Sequence, residues 1–267
     1  MLSAAQRERV NIVLVSPRNP LNIGAAARAM ANFGFTRLSV VAPHEPHWQE
    51  ARSAIGASDV LQSARLCTTV AEAVAGCTLV LGTGTLDRRK PEQSVVPLPE
   101  LAPLVAQEIT RSGRVAVIFG SEKRGLSRED LAYCHLLVEI PTDPHQPSMN
   151  LGQAVAVCLY ELASRLPGRT SAAGRRPDKP APDPSRLAAS SGSLERLAEV
   201  AEKVMQAANY SPAEMREANR HDLRLLLRRL ALTEKDTRRV LGLFRRILWR
   251  LEHRSVPRKP GKVPHDE

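Results

Sequence analysis

Short β-branched apolar runs, alternating with helix-patterned segments, predict an α/β fold with a parallel sheet and helices on both faces. The runs are Val10–Ser16, Leu38–Ala42, Thr78–Leu81, Val115–Phe119 and Leu136–Ile140. Between them lie Ile23–Phe33, Val70–Ala75, Leu98–Thr110 and Arg128–Cys134, which read as helices. Strands that are apolar throughout, without alternation, are those covered on both faces. A second observation is the abrupt change of texture after Ser164, beyond which a small all-α module is expected.

Each element has a local reason. Asn22 is placed to cap the first long helix and Gly34 to close it. Leu151–Ser164 is alanine-rich and apolar nearly all round, as a helix buried against neighbours would be. Residues 165–193 are rich in Pro, Gly, Ser, Ala and Arg without periodicity and read as a flexible linker. Helical patterns follow at Leu194–Ala208, Pro212–Ala231 and Glu234–Glu252. Ser211-Pro212-Ala213-Glu214 resembles a cap, a proline at the first helical position and an acidic residue at the third. The tail, residues 256–267, is Pro/Lys-rich and expected to be disordered.

Composition narrows the class. The 267 residues suffice for a real hydrophobic core. No run approaches the roughly eighteen apolar residues of a membrane span, and Met1–Val10 lacks a signal peptide's apolar stretch, so a cytoplasmic protein is expected. Cys67, Cys77, Cys134 and Cys158 lie far apart and read as reduced, buried thiols. His44 and His47 flank Glu45-Pro46 and read as a surface turn, not a metal pair. Residues 1–164 hold 15 Lys/Arg and 15 Asp/Glu, so the whole excess of +10 lies in residues 165–267, with 23 and 13. Such asymmetry points to a polyanionic partner, nucleic acid before membrane.

Three polar clusters stand where strands give way to turns or helices: Asn22-Ile-Gly-Ala-Ala-Ala-Arg28, Phe119-Gly-Ser-Glu122-Lys-Arg-Gly125, and Ile140-Pro…Ser148-Met-Asn-Leu151. Loops at the carboxyl ends of parallel strands converge on one crevice, where ligands bind. Phosphate-loop, dinucleotide and nucleophile-elbow motifs are missing. Gly82-Thr83-Gly84 is either an ordinary turn or a place where a ligand approaches backbone. Arg28, among alanines, either reaches the crevice or is simply exposed. Glu122 either orients Arg28 or caps Arg128–Cys134, and spacing alone favours the structural role. Ser148 and Asn150 are placed to cap the helix beginning at Leu151.

Taken together, in this order, the three clusters resemble the three motifs of SpoU-type methyltransferases of the SPOUT superfamily. The likeness covers about Val10 to Arg165. Within that family it is nearest to the TrmJ branch, which methylates the ribose 2′-hydroxyl at position thirty-two of the tRNA anticodon loop. The resemblance implies a trefoil knot at the third motif, S-adenosylmethionine as methyl donor (S-adenosylhomocysteine as product), a homodimer, a tRNA substrate and no metal. By matching segment, the cofactor would contact Thr83, Gly84, Thr85, Gly120, Ile140, Pro147, Ser148, Met149, Asn150 and Leu151. The stretch Thr83–Asp87 departs from the serine- and arginine-containing version of that branch. Arg28 and Ser148 would be catalytic, Asn22 would bind or orient the ribose–phosphate, and Glu122 would position Arg28. RNA phosphates would meet Arg28 and the helical module's Arg238, Arg239, Arg245 and Arg246. Another tRNA or rRNA site, or a non-enzymatic RNA-binding role on the same scaffold, are the alternatives.

Overall fold

The protein is described from a computed structural model, over residues 2–84, 91–164, 187–210 and 212–253. Thr85, residues 165–186 of the expected linker and the tail 256–267 lie outside the described residues. Seven parallel strands form one sheet in the order β3-β2-β1-β6-β4-β7-β5. They are β1 (Val10–Val15), β2 (Leu38–Val41), β3 (Arg65–Cys67), β4 (Leu79–Thr83), β5 (Val95–Pro97), β6 (Val115–Phe119) and β7 (Leu136–Glu139). Helices preceding the carboxy-terminal module are α1 (Ala4–Arg7), α2 (Pro20–Phe33), α3 (Ser58–Gln62), α4 (Val70–Val74), α5 (Leu101–Thr110), α6 (Arg128–Leu131) and α7 (Leu151–Ser164).

The expected strands are all present, each end within two residues of expectation, the largest difference being at β4, which runs to Thr83. The edge strands β3 and β5 went unread because three residues carry too little pattern. Ile12 and Leu14 face a core shared with α2, α5 and α7, whereas Val13 and Val15 face α4 and the Leu131–Cys134 segment. That two-sided burial is what the continuous apolar runs require. The four cysteines are buried and unbridged. Among the described residues no helix is long and apolar enough to cross a membrane.

Four helix starts differ from expectation: α5 begins at Leu101 after a 3-10 turn over Leu98–Glu100, the helix expected from Leu194 begins at Ser191, and the other two have local causes. Asn19, not Asn22, caps α2, its side chain accepting from Leu21 N, with Pro20 in the first turn. Proline's fixed φ and missing N–H suit that position, so the helix opens one turn early and Asn22 is left free for other contacts. Gly34 closes α2 in the left-handed conformation, as expected. Further on, the Pro212 cap signal opens only a 3-10 turn, Ala213–Met215, before α9 (Arg216–Arg229), and Ser211 is outside the described residues.

The last module comprises α8 (Ser191–Ala207), α9 and α10 (Glu234–Glu252), packed through Leu197, Ala198 and Leu227. The described end of the expected linker is built into the fold. Ser190 caps α8, Ala189 N donates to Leu232 O at 2.9 Å, and Ser191 N donates to Cys77 O at 2.8 Å. Arg228, buried on α9, donates to Tyr133 O at 3.0 Å, and Arg224 and Arg228 both lie over the Tyr133 ring. The module is thus docked on the α4/α6 side of the sheet.

Candidate active site

Sheet order explains why the clusters meet. β1, β6, β4 and β7 are consecutive neighbours and parallel, so the loops leaving them emerge side by side at one edge. β1 is flanked by β2 on one side and β6 on the other, so the chain's direction of travel across the sheet reverses beside it. Such reversals open ligand crevices.

The second cluster is shaped by a close backbone approach. After β6 the chain turns back on itself, with Gly125 N donating to Ser121 O at 2.8 Å. A Cβ at Gly120 would lie 2.0 Å from the Gly125 carbonyl carbon and 2.1 Å from Leu126 N. Only glycine permits that fold-back. The fold-back presents Glu122 to the loop leaving β1, where it accepts from Arg18 N (2.9 Å), Asn19 N (3.1 Å) and Asn22 Nδ2 (2.8 Å). Partial burial pushes the Glu122 carboxyl up, but the hydrogen bonds from Asn22 and from backbone N–H groups outweigh it, so its pKa lies below the usual value.

Asn22 relays the contact. Its Oδ1 accepts from Asn150 Nδ2 at 2.9 Å, and Asn150 Oδ1 accepts from Gly152 N (2.9 Å) and Gln153 N (3.3 Å) at the start of α7. Glu122, Asn22 and Asn150 therefore form one chain of hydrogen bonds joining all three clusters. Asn150 does cap α7, as expected. Glu122 neither pairs with Arg28 nor caps α6, which uses Ser127 and Asp130. Its two oxygens are already taken by the loop after β1. Asn22 is committed at both ends of its amide.

Arg28 is exposed and forms no ion pair or hydrogen bond with any described residue. α2 and α7 run side by side in the same direction. Asn22 meets Asn150, a Cβ at Gly152 would lie 2.7 Å from Ala25 Cβ, and Phe33 meets Tyr160 edge to face. Arg28 follows Ala25 by three residues, about 60° round the helix, so it borders the α2–α7 seam. It lies about 9 Å along the axis from Asn22.

The residues expected to hold the methyl donor lie at the ends of β6, β4 and β7. Thr83 is buried, its Oγ1 donating to Ile118 O at 3.0 Å, and no atom of the described residues lies within 4 Å of an ideal Cβ at Gly84. The loop after β7 is stapled by Thr142 Oγ1 donating to Pro147 O at 3.0 Å. Ile140, Pro147 and Met149 are half-buried and Ser148 is exposed, whereas the Leu151 side chain is in the core and leaves only its backbone to a ligand. Open backbone beside half-buried apolar groups fits a group carrying both a nucleoside and a thioether-like chain.

Sequence reasoning missed Asn19 and Arg18 as partners of Glu122; Asn19-Pro20 was the available signal. It also missed why Gly24 follows Asn22. A Cβ there would lie 2.2 Å from Ser53 Oγ, so the loop between β2 and α3 can cross α2, with Ser53 Oγ donating to Leu21 O at 2.7 Å.

Comparisons with known proteins identify the family. The model of the SpoU rRNA Methylase family matches residues 9–160. The tRNA (cytidine/uridine/adenosine-2′-O-)-methyltransferase TrmJ of Pseudomonas aeruginosa is 43% identical over 156 residues, 58% of this chain and 60% of that protein. The alignment thus spans well under two thirds of that relative. A Yersinia pestis tRNA (cytidine/uridine-2′-O-)-methyltransferase TrmJ is 33% identical over 245 residues, 91% of each chain. The crystal structure of TrmJ from Z. mobilis ZM4 superposes with a TM-score of 0.75 at 30% identity, covering 89% of this chain and 98% of that one. With more than half its length matched, the chain belongs to the SpoU methylase family.

Proposed function

We propose that the protein is an S-adenosylmethionine-dependent tRNA ribose 2′-O-methyltransferase acting on cytidine or uridine at position thirty-two of the anticodon loop. The observation that carries this reading is the Glu122–Asn22–Asn150 chain, which holds three motif loops of a SpoU family member around one crevice. The substrate follows from relatives whose names specify tRNA and ribose 2′-O chemistry. The family description mentions rRNA, which keeps an rRNA site as the second reading.

The donor, when bound, supplies a methyl group already activated on a sulfonium. This chain has to place a ribose 2′-oxygen in line with it and handle one proton. Thr83, Gly84, Gly120 and the Ile140–Leu151 loop would hold the donor, with Thr85 as a further candidate. The Asn22–Asn150 bond fixes the loop carrying Ser148 against α2. Arg28 is free to clamp an RNA phosphate, and helical side chains lean toward the amino-terminal end, here toward the loop edge. That phosphate or a water can take the 2′-proton, which asks less of Arg28 than acting as the base itself.

We infer a homodimer formed over the α2–α7 side, where Leu21 and Tyr160 are exposed. The trefoil knot is kept with it: β7 lies between β4 and β5, so the chain leaving β7 emerges within the span of the β4–β5 connection. The helical module would grip RNA phosphates through Arg238, Arg239, Arg245 and Arg246. A cytoplasmic location accompanies a tRNA substrate. The test is transfer of labelled methyl from S-adenosylmethionine to tRNA transcripts and rRNA fragments. Label in tRNA is expected; none in either RNA contradicts the reading.

A further inference from the structure

From Arg238 to Leu251, α10 carries five arginines and no acidic residue. Its apolar side, Val240, Leu241 and Phe244, packs in the module core. Trp249 does not join that core and stays 45% exposed. Its ring is covered instead by the Arg246 guanidinium, 4.7 Å from the centroid, and by the His253 imidazole, 4.9 Å away and 20° from parallel. Arg246 and His253 thus both meet the Trp249 ring at the end of α10. Beside it, a cleft of about 400 Å3 opens between α8 and α10. Trp249, Leu248 and Val200 give it an apolar wall, and Arg196, Lys203 and Arg245 add cations. Glu199 and Glu252 line the same cleft.

That mixture is unlike a simple phosphate track, which has no use for carboxylates. A membrane surface would not favour them either. An unpaired nucleobase uses every part. Its face stacks on aromatic and guanidinium planes, its exocyclic amino group donates to a carboxylate, and its flanking phosphates meet the cations. The volume lies in the range of small-ligand sites, about 300–1,000 Å3. We propose that the α8–α10 cleft is a nucleobase subsite for an unpaired RNA nucleotide outside the methylation crevice. The base takes the place of the His253 imidazole on the Trp249 ring, and Glu199 or Glu252 selects bases bearing an amino group. This deepens the RNA-binding reading of the module and rests on it.

The protein has two tryptophans, and Trp48 is 2% exposed, so ligand-induced changes in emission report Trp249. The full chain is titrated with cytidine, adenosine and uridine octamers and with an RNA duplex at one salt concentration. Cytidine and adenosine octamers should quench emission strongly, uridine less, and duplex least. Followed by fluorescence anisotropy of an end-labelled octamer, Trp249→Leu should weaken cytidine-octamer binding about 5- to 100-fold, while Trp249→Phe retains most of it. Melting curves of both variants verify that the fold is intact. Unchanged affinity of Trp249→Leu, or equal quenching by duplex and single strands, overturns the subsite. Equal quenching by uridine and cytidine overturns the carboxylate contact. Methyl transfer by wild-type protein is measured in parallel. Its presence without Trp249 quenching sinks only the subsite, and its absence with base-selective quenching sinks only the enzyme reading.

Discussion

Glu122→Gln keeps side-chain size but exchanges an acceptor oxygen for an amide donor facing N–H groups already directed at that site. Hydrogen bonds to a charged acceptor contribute about 1.5–3 kcal/mol when buried. Solvent reaches Glu122, so a stability loss of about 1 kcal/mol is expected. Methyl transfer should fall further than stability, because the chain through Asn22 sets the third loop. The carboxyl titrates below its ordinary value of 4.5 in the folded state. Its contribution is therefore present above that value and is lost as pH falls through the folded pKa. Wild type and Glu122→Gln should differ in melting temperature at neutral pH and converge in acid. Arg28→Ala has the opposite profile. Arg28 is exposed and forms no ion pair or hydrogen bond with a described residue, so stability should change by no more than about 0.5 kcal/mol. Transfer should drop at least about 100-fold, and donor binding, followed by calorimetry, should stay near wild type. Arg28→Lys should not restore activity if bidentate phosphate contact is what matters.

The turn from Gly120 to Gly125 and the start of α2 are the elements that convert strand order into a site. Gly120→Ala would drive a Cβ into the Gly125 carbonyl, two backbone segments that cannot both stay in place. A loss of about 1–3 kcal/mol, seen in denaturant unfolding, should accompany loss of transfer. The main strands, α7 and α10 were legible because long apolar or strongly amphipathic runs outvote local ambiguity. The motif residues were legible too, but their partners were not. Spacing placed Glu122 after a strand, and nothing in it said that the loop after β1 would arrive first and occupy both oxygens. The cap of α2 was misplaced for a related reason: Asn19-Pro20 and Asn22 both carry start signals, and proline geometry decides.

At the scale of the whole molecule, the helical module is a docked part of the fold and not a loosely tethered grip. Arg228 is buried against Tyr133, so Arg228→Ala would strand the Tyr133 carbonyl and remove packing, at a cost of about 3 kcal/mol. Thermal unfolding should then split into two steps, with early proteolysis in the module. Some of the positive charge counted in the sequence is spent on such contacts: Arg220 pairs with Glu202 and Arg224 with Glu195. What remains exposed on α10 is the stripe expected to meet RNA. Affinity for tRNA should therefore fall linearly with salt on logarithmic axes, with a shallower slope after replacing Arg238, Arg239, Arg245 and Arg246 together. The most direct measurement is nucleoside mass spectrometry of a tRNA transcript treated with the protein and S-adenosylmethionine. One ribose-methylated cytidine or uridine at position thirty-two, absent with Arg28→Ala, is the predicted result. Methylation on a base, or no methylation, would contradict it.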